Sequence, residues 1–196
     1  MDNKNTDRRI RKTKKFLKDG LIELMLEKSI NDISVKELTE KIDLNRGTFY
    51  LHYKDIYDLL DQIEDEFLQD FNQIMFSHSK DQLDCTLISL LVDIFNYLKA
   101  NSSICTVLLS NNGDRNFINK IKEVIRIKCF SVWTVMFKFP KTNAFDYFYT
   151  FIVSGCIGIF ESWLNNGLKE SPYEIASLTE SFILNGINAL EMTSTK

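Results

Sequence analysis

Ten consecutive residues, Asn45-Arg46-Gly47-Thr48-Phe49-Tyr50-Leu51-His52-Tyr53-Lys54, gather side chains suited to a duplex nucleic acid. A guanidinium at Arg46 can grip a guanine edge at two points or hold a phosphate, and Thr48 can meet a thymine methyl or a phosphate oxygen. Tyr50 and His52 carry polar tips able to donate to phosphates. Lys54, at the end of the run, and Lys36, upstream, are placed to hold the sugar-phosphate backbone, so their loss should weaken all sequences alike. Gly47 has no side chain, which lets the start of a helix lie close against a duplex; a merely tolerated glycine is the plainer alternative. Phe49 falls by helical spacing with Val35, Leu38 and Leu44 and is expected in the core.

Catalytic chemistry is thinly represented. There is no Gly-rich phosphate loop, no GxSxG, no HExxH and no local Cys/His constellation, so no enzyme activity and no cofactor are expected. The two histidines, His52 and His78, are isolated and make no zinc site, so no metal is expected. Cys85, Cys105, Cys129 and Cys156 contain no CxxC pair and lie in apolar surroundings, as buried reduced thiols would. No basic-then-apolar leader opens the sequence, and a reducing cytoplasm is the expected location.

The scaffold for these residues is expected to be all-α. The 196 residues are 44% hydrophobic and 26% charged, an ordinary globular balance, while 2 prolines and 7 glycines supply too few turns for a many-stranded fold. Ile10, Leu17, Leu21, Leu24 and Met25 form one stripe of a helix from about Asp7 to Lys28. Ser34 and Glu37 form a capping box for a short helix ending near Ile42. Asp43 occupies a sharp turn, and Asn45 caps a second short helix from Arg46 to about Tyr53. A long helix follows, from about Asp55 to Ser77. Further helices are expected from Leu83 to Leu98, around Ile104 to Leu108, and from Ile118 to a point before Pro140. Ala144 to Asn165 forms another, ending on Asn166-Gly167, and a last helix is capped by Ser171, Pro172 and Glu174. The total is about nine helices and no strand.

The net charge of -3 hides a division. Residues 1–55 carry 13 Lys/Arg and 10 Asp/Glu, whereas residues 56–196 carry 11 and 17. Lys4, Arg8, Arg9, Arg11, Lys12, Lys14, Lys15 and Lys18 face only Asp2 and Asp7 at the front. Such a run can hold a polyanion or be a solvated helix face. Tyr147 to Phe160 contains no charge but is too short for a bilayer, which needs about 20 residues, so no membrane partner is expected. Its small residues Ser154, Gly155, Cys156 and Gly158 point to a helix buried on all sides, often by a partner subunit.

Two short helices joined by a tight turn behind a basic amphipathic helix make a helix-turn-helix pattern. Residues Asn45 to Lys54, the lead-in Ile33-Ser34-Val35-Lys36-Glu37-Leu38 and the trailing Lys54-Asp55-Ile56-Tyr57-Asp58-Leu59-Leu60 resemble the TetR family of transcriptional regulators. The likeness covers roughly Thr6 to Phe71. It implies a three-helix DNA-binding domain over residues 1–54 and a helical ligand-sensing and dimerisation domain over 55–196. It also implies DNA contacts from Ser34, Lys36, Asn45, Arg46, Gly47, Thr48, Tyr50, Leu51, His52 and Lys54. Two positions depart from the family: Asp43 stands where a turn glycine is usual, and Ile56 where many members have a phosphate-binding lysine.

One recognition helix reads too few base pairs to select a site, so a homodimer on palindromic double-stranded DNA is expected. Phe148, Phe151, Ile152, Gly155, Ile159, Trp163, Ile175, Leu178, Phe182 and Gly186 exceed what one surface should expose, and are expected to build a four-helix interface or else to cover their own core. Phe71, Met75, Leu91, Phe95, Phe130, Trp133, Phe137 and Phe148 could line a pocket for a small apolar or aromatic effector, or simply fill a core. The resemblance implies a repressor released when the effector moves the long helix. A co-activator whose C-terminal domain binds a protein is the alternative.

Overall fold

The computed structural model describes the backbone of residues 3–77, 86–109, 115–136 and 143–193, and their side chains except 3–6, 115–116, 129–136, 143–145 and 186–193. Among the described residues there are nine α-helices and no strand, as expected. They are α1 (Asn3–Glu27), α2 (Val35–Lys41), α3 (Arg46–Tyr50), α4 (Ile56–Ser77), α5 (Leu87–Ala100), α6 (Ser102–Leu109), α7 (Arg115–Met136), α8 (Asn143–Asn165) and α9 (Pro172–Thr193). A single 3-10 turn, Ile30–Asp32, joins α1 to α2. Leu83, Cys85, Phe137 and Pro140 lie outside the described residues.

The chain divides into two units. The first comprises Met1–Leu68 and Ser103–Phe117. Its interior takes Leu17, Leu21, Leu24 and Met25 from α1, Leu38 from α2, Phe49 from α3, Leu59 and Ile63 from α4, and Ile104, Val107 and Leu108 from α6. The rings of Phe67 and Phe117 meet edge to face at 5.5 Å. Ile10, expected at the head of the α1 stripe, is instead exposed, as is every residue from Asp7 to Lys12, because the front of α1 is left uncovered. Burial pushes the Cys105 thiol up to about 12, so it stays protonated at neutral pH.

The turn between α2 and α3 is decided by one backbone geometry. Asp43 takes a left-handed φ of 52°, while Leu44 N donates to Thr39 O at 2.8 Å and Asp43 N to Glu40 O at 3.4 Å. These are the two bonds of a Schellman closure, satisfying carbonyls that the end of α2 would otherwise orphan. Aspartate tolerates this conformation better than most residues, so the missing glycine does not break the turn.

The second unit comprises Gln69–Ser102 and Ile118–Lys196. Here α9 packs against both α5 and α8. Trp163 is only 2% exposed; its ring meets Phe95 edge to face at 5.5 Å and its Nε1 donates to Glu170 O at 3.2 Å. The chain reaches Glu170 through another Schellman closure, with Gly167 at φ 78° and Leu168 N donating to Trp163 O at 2.9 Å. The start of α9 makes the full expected capping box: Ser171 N donates to Glu174 Oε2 at 2.7 Å and Glu174 N to Ser171 Oγ at 3.2 Å.

Helix α8 corrects one expectation. It is buried along one side, by Phe148, Ile152, Val153, Phe160 and Trp163, and open along the other, where Tyr147, Phe151, Ser154, Gly155, Gly158 and Ser162 are exposed. No heavy atom would meet a Cβ added at Gly155 or Gly158 within 4 Å. The absence of charge therefore reflects one face packed at home and one apolar face presented outward. By length and composition Asp146–Asn165 could cross a bilayer, yet it carries Glu161 within and Asp146 at its head.

In α1, Gly20 decides how closely α2 approaches. A Cβ there would stand 2.5 Å from Ile42 Cγ2 and 3.0 Å from Leu38 Cδ1. At an exposed helical site glycine to alanine gains about 1 kcal/mol of propensity. Here the overpacking loss of roughly 1–3 kcal/mol outweighs it. Gly20→Ala should lower the denaturant midpoint with an unchanged slope, and a stability equal to or above wild type would contradict the packing described.

Candidate nucleic-acid interface

Local capping shapes α2 and α3. Ser34 Oγ accepts from Glu37 N at 3.2 Å, as the capping box required. The return bond is not made, because the Glu37 carboxylate pairs with Lys28 Nζ. Asn45 Oδ1 accepts from Gly47 N at 2.7 Å, which sets the start of α3. The helix proper has five residues, but Leu51 N still donates to Gly47 O and Tyr53 N to Phe49 O at 3.0 Å. That extra turn explains why the sequence pattern runs on to Tyr53.

Phe49 is fully buried, so α3 is pinned by one side. The residues around it emerge: Asn45, Arg46 and Gly47 are exposed, Thr48 and His52 half-buried, Tyr50 58% exposed and Leu51 79% exposed. A large apolar side chain this exposed at the end of a short helix has no internal packing reason. Gly47 has little internal necessity either, since an added Cβ would meet only Asn45 Oδ1, at 3.1 Å. Ser34 and Lys36 are exposed at the head of α2, Lys36 reaching Glu40 only at 3.9 Å. All ten expected DNA-contacting residues lie in the first unit, and none is buried.

The join to α4 is held by a pair of side-chain caps. Asp58 N donates to Asp55 Oδ1 at 2.9 Å, while Lys54 N donates to Asp58 Oδ2 at 2.8 Å. This reciprocal cap fixes the backbone of Lys54, whose side chain is exposed. Asp-x-x-Asp at the head of an apolar helical pattern was the available signal. The Lys54 backbone N–H, helped by Gln62, holds the Asp58 carboxyl below its ordinary pKa. Ile56, in place of the family's lysine, is buried and anchors the first turn of α4. Tyr53 is buried too, and burial, with the carboxylates of Glu66 and Asp58, pushes its phenol up to about 12.

The family model for the TetR transcriptional regulator C-terminal region matches residues 85–185, just over half of the chain. The chain belongs to the TetR family of transcriptional regulators. An uncharacterised HTH-type transcriptional regulator of Bacillus subtilis (strain 168), YxbF, is 27% identical over 60 residues, which span 31% of this chain and 16% of that protein. A TetR transcriptional regulator of Streptococcus agalactiae 2603V superposes with a TM-score of 0.61 at 23% identity, covering 93% of this chain and 99% of that one. A transcriptional regulator of Aquifex aeolicus VF5 gives a TM-score of 0.65 at 18% identity, covering 88% and 98%. At these identities the two structural likenesses are of fold.

In this TetR-family chain the expected interface residues separate into two sets. Phe151, Gly155, Leu178 and Phe182 are exposed and Ile159 is half-buried, whereas Ile152, Phe148 and Ile175 are buried and Trp163 is held inside its own unit by Phe95 and Glu170. Those four belong to the protomer's core, and the outward surface narrows accordingly. The side chain of Gly186 lies outside the described residues. Of the expected pocket residues, Phe71, Met75, Leu91, Phe95 and Phe148 are all buried in the second unit. Phe137 and the side chains of Phe130 and Trp133 lie outside the described residues. A cleft of about 340 Å³ in this unit is lined by Asp70, Gln73, Ile74, Ser77 and Tyr97, none of them among the eight. Among the described residues no cluster of His, Cys, Asp or Glu could hold a metal.

Because the folded pKa of Asp58 is depressed, its stabilisation is full above the carboxyl's unfolded pKa and is lost as pH falls through the lower folded value. Asp58→Asn should therefore lower the unfolding midpoint at neutral pH, and the difference from wild type should shrink in strong acid. A pH-independent difference would show that the carboxylate is not what the cap uses.

Proposed function

We propose that this regulator is a cytoplasmic homodimer that grips a palindromic operator through α3 and acts as a repressor released by a small apolar or aromatic effector. The functional division is residues 1–54 for DNA and 55–196 for sensing and dimerisation. The observation that carries the reading is the two-sidedness of α3: Phe49 is fully buried while Arg46, Tyr50 and Leu51 stand exposed beside it. A groove-reading helix needs such an arrangement, because rigid backing holds the outward side chains in register with base edges. Thr48 stands beside Arg46 on the reading surface, Asn45 caps its start, and Tyr50 and His52 can donate to phosphates. Ser34, Lys36 and Lys54 hold the phosphates on either side.

Dimerisation is supported by the outward faces of α8 and α9. On α8 the exposed positions 147, 151, 154, 155, 158 and 162 follow helical spacing, and on α9 so do 174, 177, 178, 181, 182 and 185. Tyr147, Phe151, Leu178 and Phe182 thus flank small residues at which another backbone can approach closely. On α9 the large apolar side chains Leu178 and Phe182 stand among Glu174, Ser177, Ser181 and Asn185, and two such faces can pair in a four-helix interface with an apolar centre and a polar rim. The effector is assigned to the aromatic interior of the second unit, where Phe71 and Met75 belong to α4.

Selection from randomised duplexes, followed by footprinting of the DNA upstream of the gene, should yield an inverted repeat. Arg46→Ala should weaken the selected site by roughly 5- to 150-fold for a lost base contact, and Tyr50→Ala should weaken it through a lost phosphate contact. Lys36→Ala and Lys54→Ala should weaken all sequences alike and reduce the salt slope by about 1 each. Normal operator affinity in both Arg46→Ala and Tyr50→Ala would show that α3 does not read DNA.

Sedimentation equilibrium tests the other half of the reading. The wild-type chain should be a dimer, and Phe151→Asp with Phe182→Asp a monomer of unchanged helicity. A dimer that survives both changes would place the interface elsewhere.

A further inference from the structure

The first unit contains a cleft that the DNA reading does not use. It lies between α1 and α4, has a volume of about 300 Å³, and is lined by Arg11, Lys14, Lys15 and Lys18 with Tyr53, Gln62, Ile63 and Glu66. Four cations therefore share it with one carboxylate. Glu66 is engaged by Lys18 at 3.2 Å, and Arg11, Lys14 and Lys15 pair with no carboxylate among the described residues. Lys14 Nζ stands 5.7 Å from the centroid of the Tyr53 ring, which favours one position for this otherwise flexible cation. Concentrating like charges around a recess is unfavourable unless something compensates it, and a bound polyanion does so more strongly than mobile counterions.

We infer that the recess formed by Arg11, Lys14, Lys15 and Lys18 over Tyr53 and Ile63 is a binding site for a small anion carrying at least two phosphate groups. Three features select that class. The net charge of the lining calls for a ligand of several negative charges. The volume lies at the lower end of the range for small-molecule sites, enough for a diphosphate with a small organic body. The lining includes the guanidinium of Arg11, which can hold phosphate oxygens at two points, and lysines that serve as point charges. A duplex fits less well, because Lys14 and Lys18 are half-buried and Tyr53 and Ile63 beneath them are buried. DNA phosphates lie on a convex ridge that does not enter a recess between two helices. Glu66 is the competitor within the site: an arriving phosphate must share or displace its hold on Lys18.

Calorimetric titration of the full chain with sodium pyrophosphate, without DNA and at constant ionic strength, tests this independently of the proposed function. Saturable binding of one pyrophosphate per protomer is expected, well above any response to sulfate. Arg11→Ala or Lys14→Met should weaken it at least tenfold with unchanged helicity. Glu66→Gln should tighten it at least threefold, a change in the opposite direction that damage to the fold would not produce. Unsaturable binding, equal affinity for sulfate, or a Glu66→Gln variant no tighter than wild type would overturn the inference. So would an absence of pyrophosphate binding with Arg11→Ala and Lys14→Met each weakening DNA and flattening its salt slope, since the cleft would then be a contact for the DNA backbone.

Discussion

The burial of Phe49 is the constraint on which the outward surface of α3 depends. A helix of five residues has no independent stability in water, because nucleation costs more than so few hydrogen bonds return. What holds α3 is a ring with no exposed surface, a cap from Asn45 at one end and a continued helical turn to Tyr53 at the other. Full burial of a phenylalanine contributes on the order of 3 kcal/mol and its truncation costs about 3–5 kcal/mol, more than the cap's roughly 1 kcal/mol. Packing therefore sets the position of α3 and the cap sets its first residue. The outward side chains inherit their places from both.

The same unit arranges charge through α1. Its apolar stripe is drawn against α2 at Gly20, where there is no room for a methyl group, while Asp7 to Lys12 extend uncovered into solvent. The positive excess of the first 55 residues is thus spread along a helix whose middle is rigidly packed and whose front is free. Lys18 and Lys28 are tied to Glu66 and Glu37, and Lys41 to Glu23 at 3.2 Å. Arg11, Lys14 and Lys15 remain as cations without a carboxylate partner among the described residues. Partly exposed ion pairs of this kind contribute little to stability, so their larger effect is on where net charge is left.

Much of this arrangement was legible in the sequence because it is local. The caps at Ser34, Asn45 and Ser171, the left-handed Asp43 and the buried Phe49 each depend on residues within a few positions of one another, and periodicity gives both type and face. What escaped is long-range. Gly20 looks like an ordinary helix-weakening residue until Ile42 is seen 2.5 Å from where its Cβ would be. Trp163 and Phe151 are equally apolar and both face-like by spacing, yet one packs on Phe95 and the other is 67% exposed. Hydropathy cannot distinguish a face buried in its own protomer from one left for a partner, so α8 read as buried on all sides. The Asp55–Asp58 cap is a different case, a local signal that was present and simply shorter than a Ser–Glu box.

Helix α4 is shared by the two units. Its residues up to Leu68 belong to the first unit and those from Gln69 to the second, within one uninterrupted helix. In the second part, Phe71 and Met75 are more than nine-tenths buried, as are Leu91, Phe95 and Phe148. Opening space among such side chains costs about 24 cal/mol per Å³, so a ligand-sized void of about 300 Å³ left empty would cost roughly 7 kcal/mol. The packed form is favoured by that amount, and the proposed effector would have to supply it through its own contacts. On that proposal, every tenfold preference for the opened form would contribute about 1.4 kcal/mol of coupling. Phe71 and Met75 lie on α4 itself, so an effector lodged among them, as proposed, would touch the helix that runs on into the first unit.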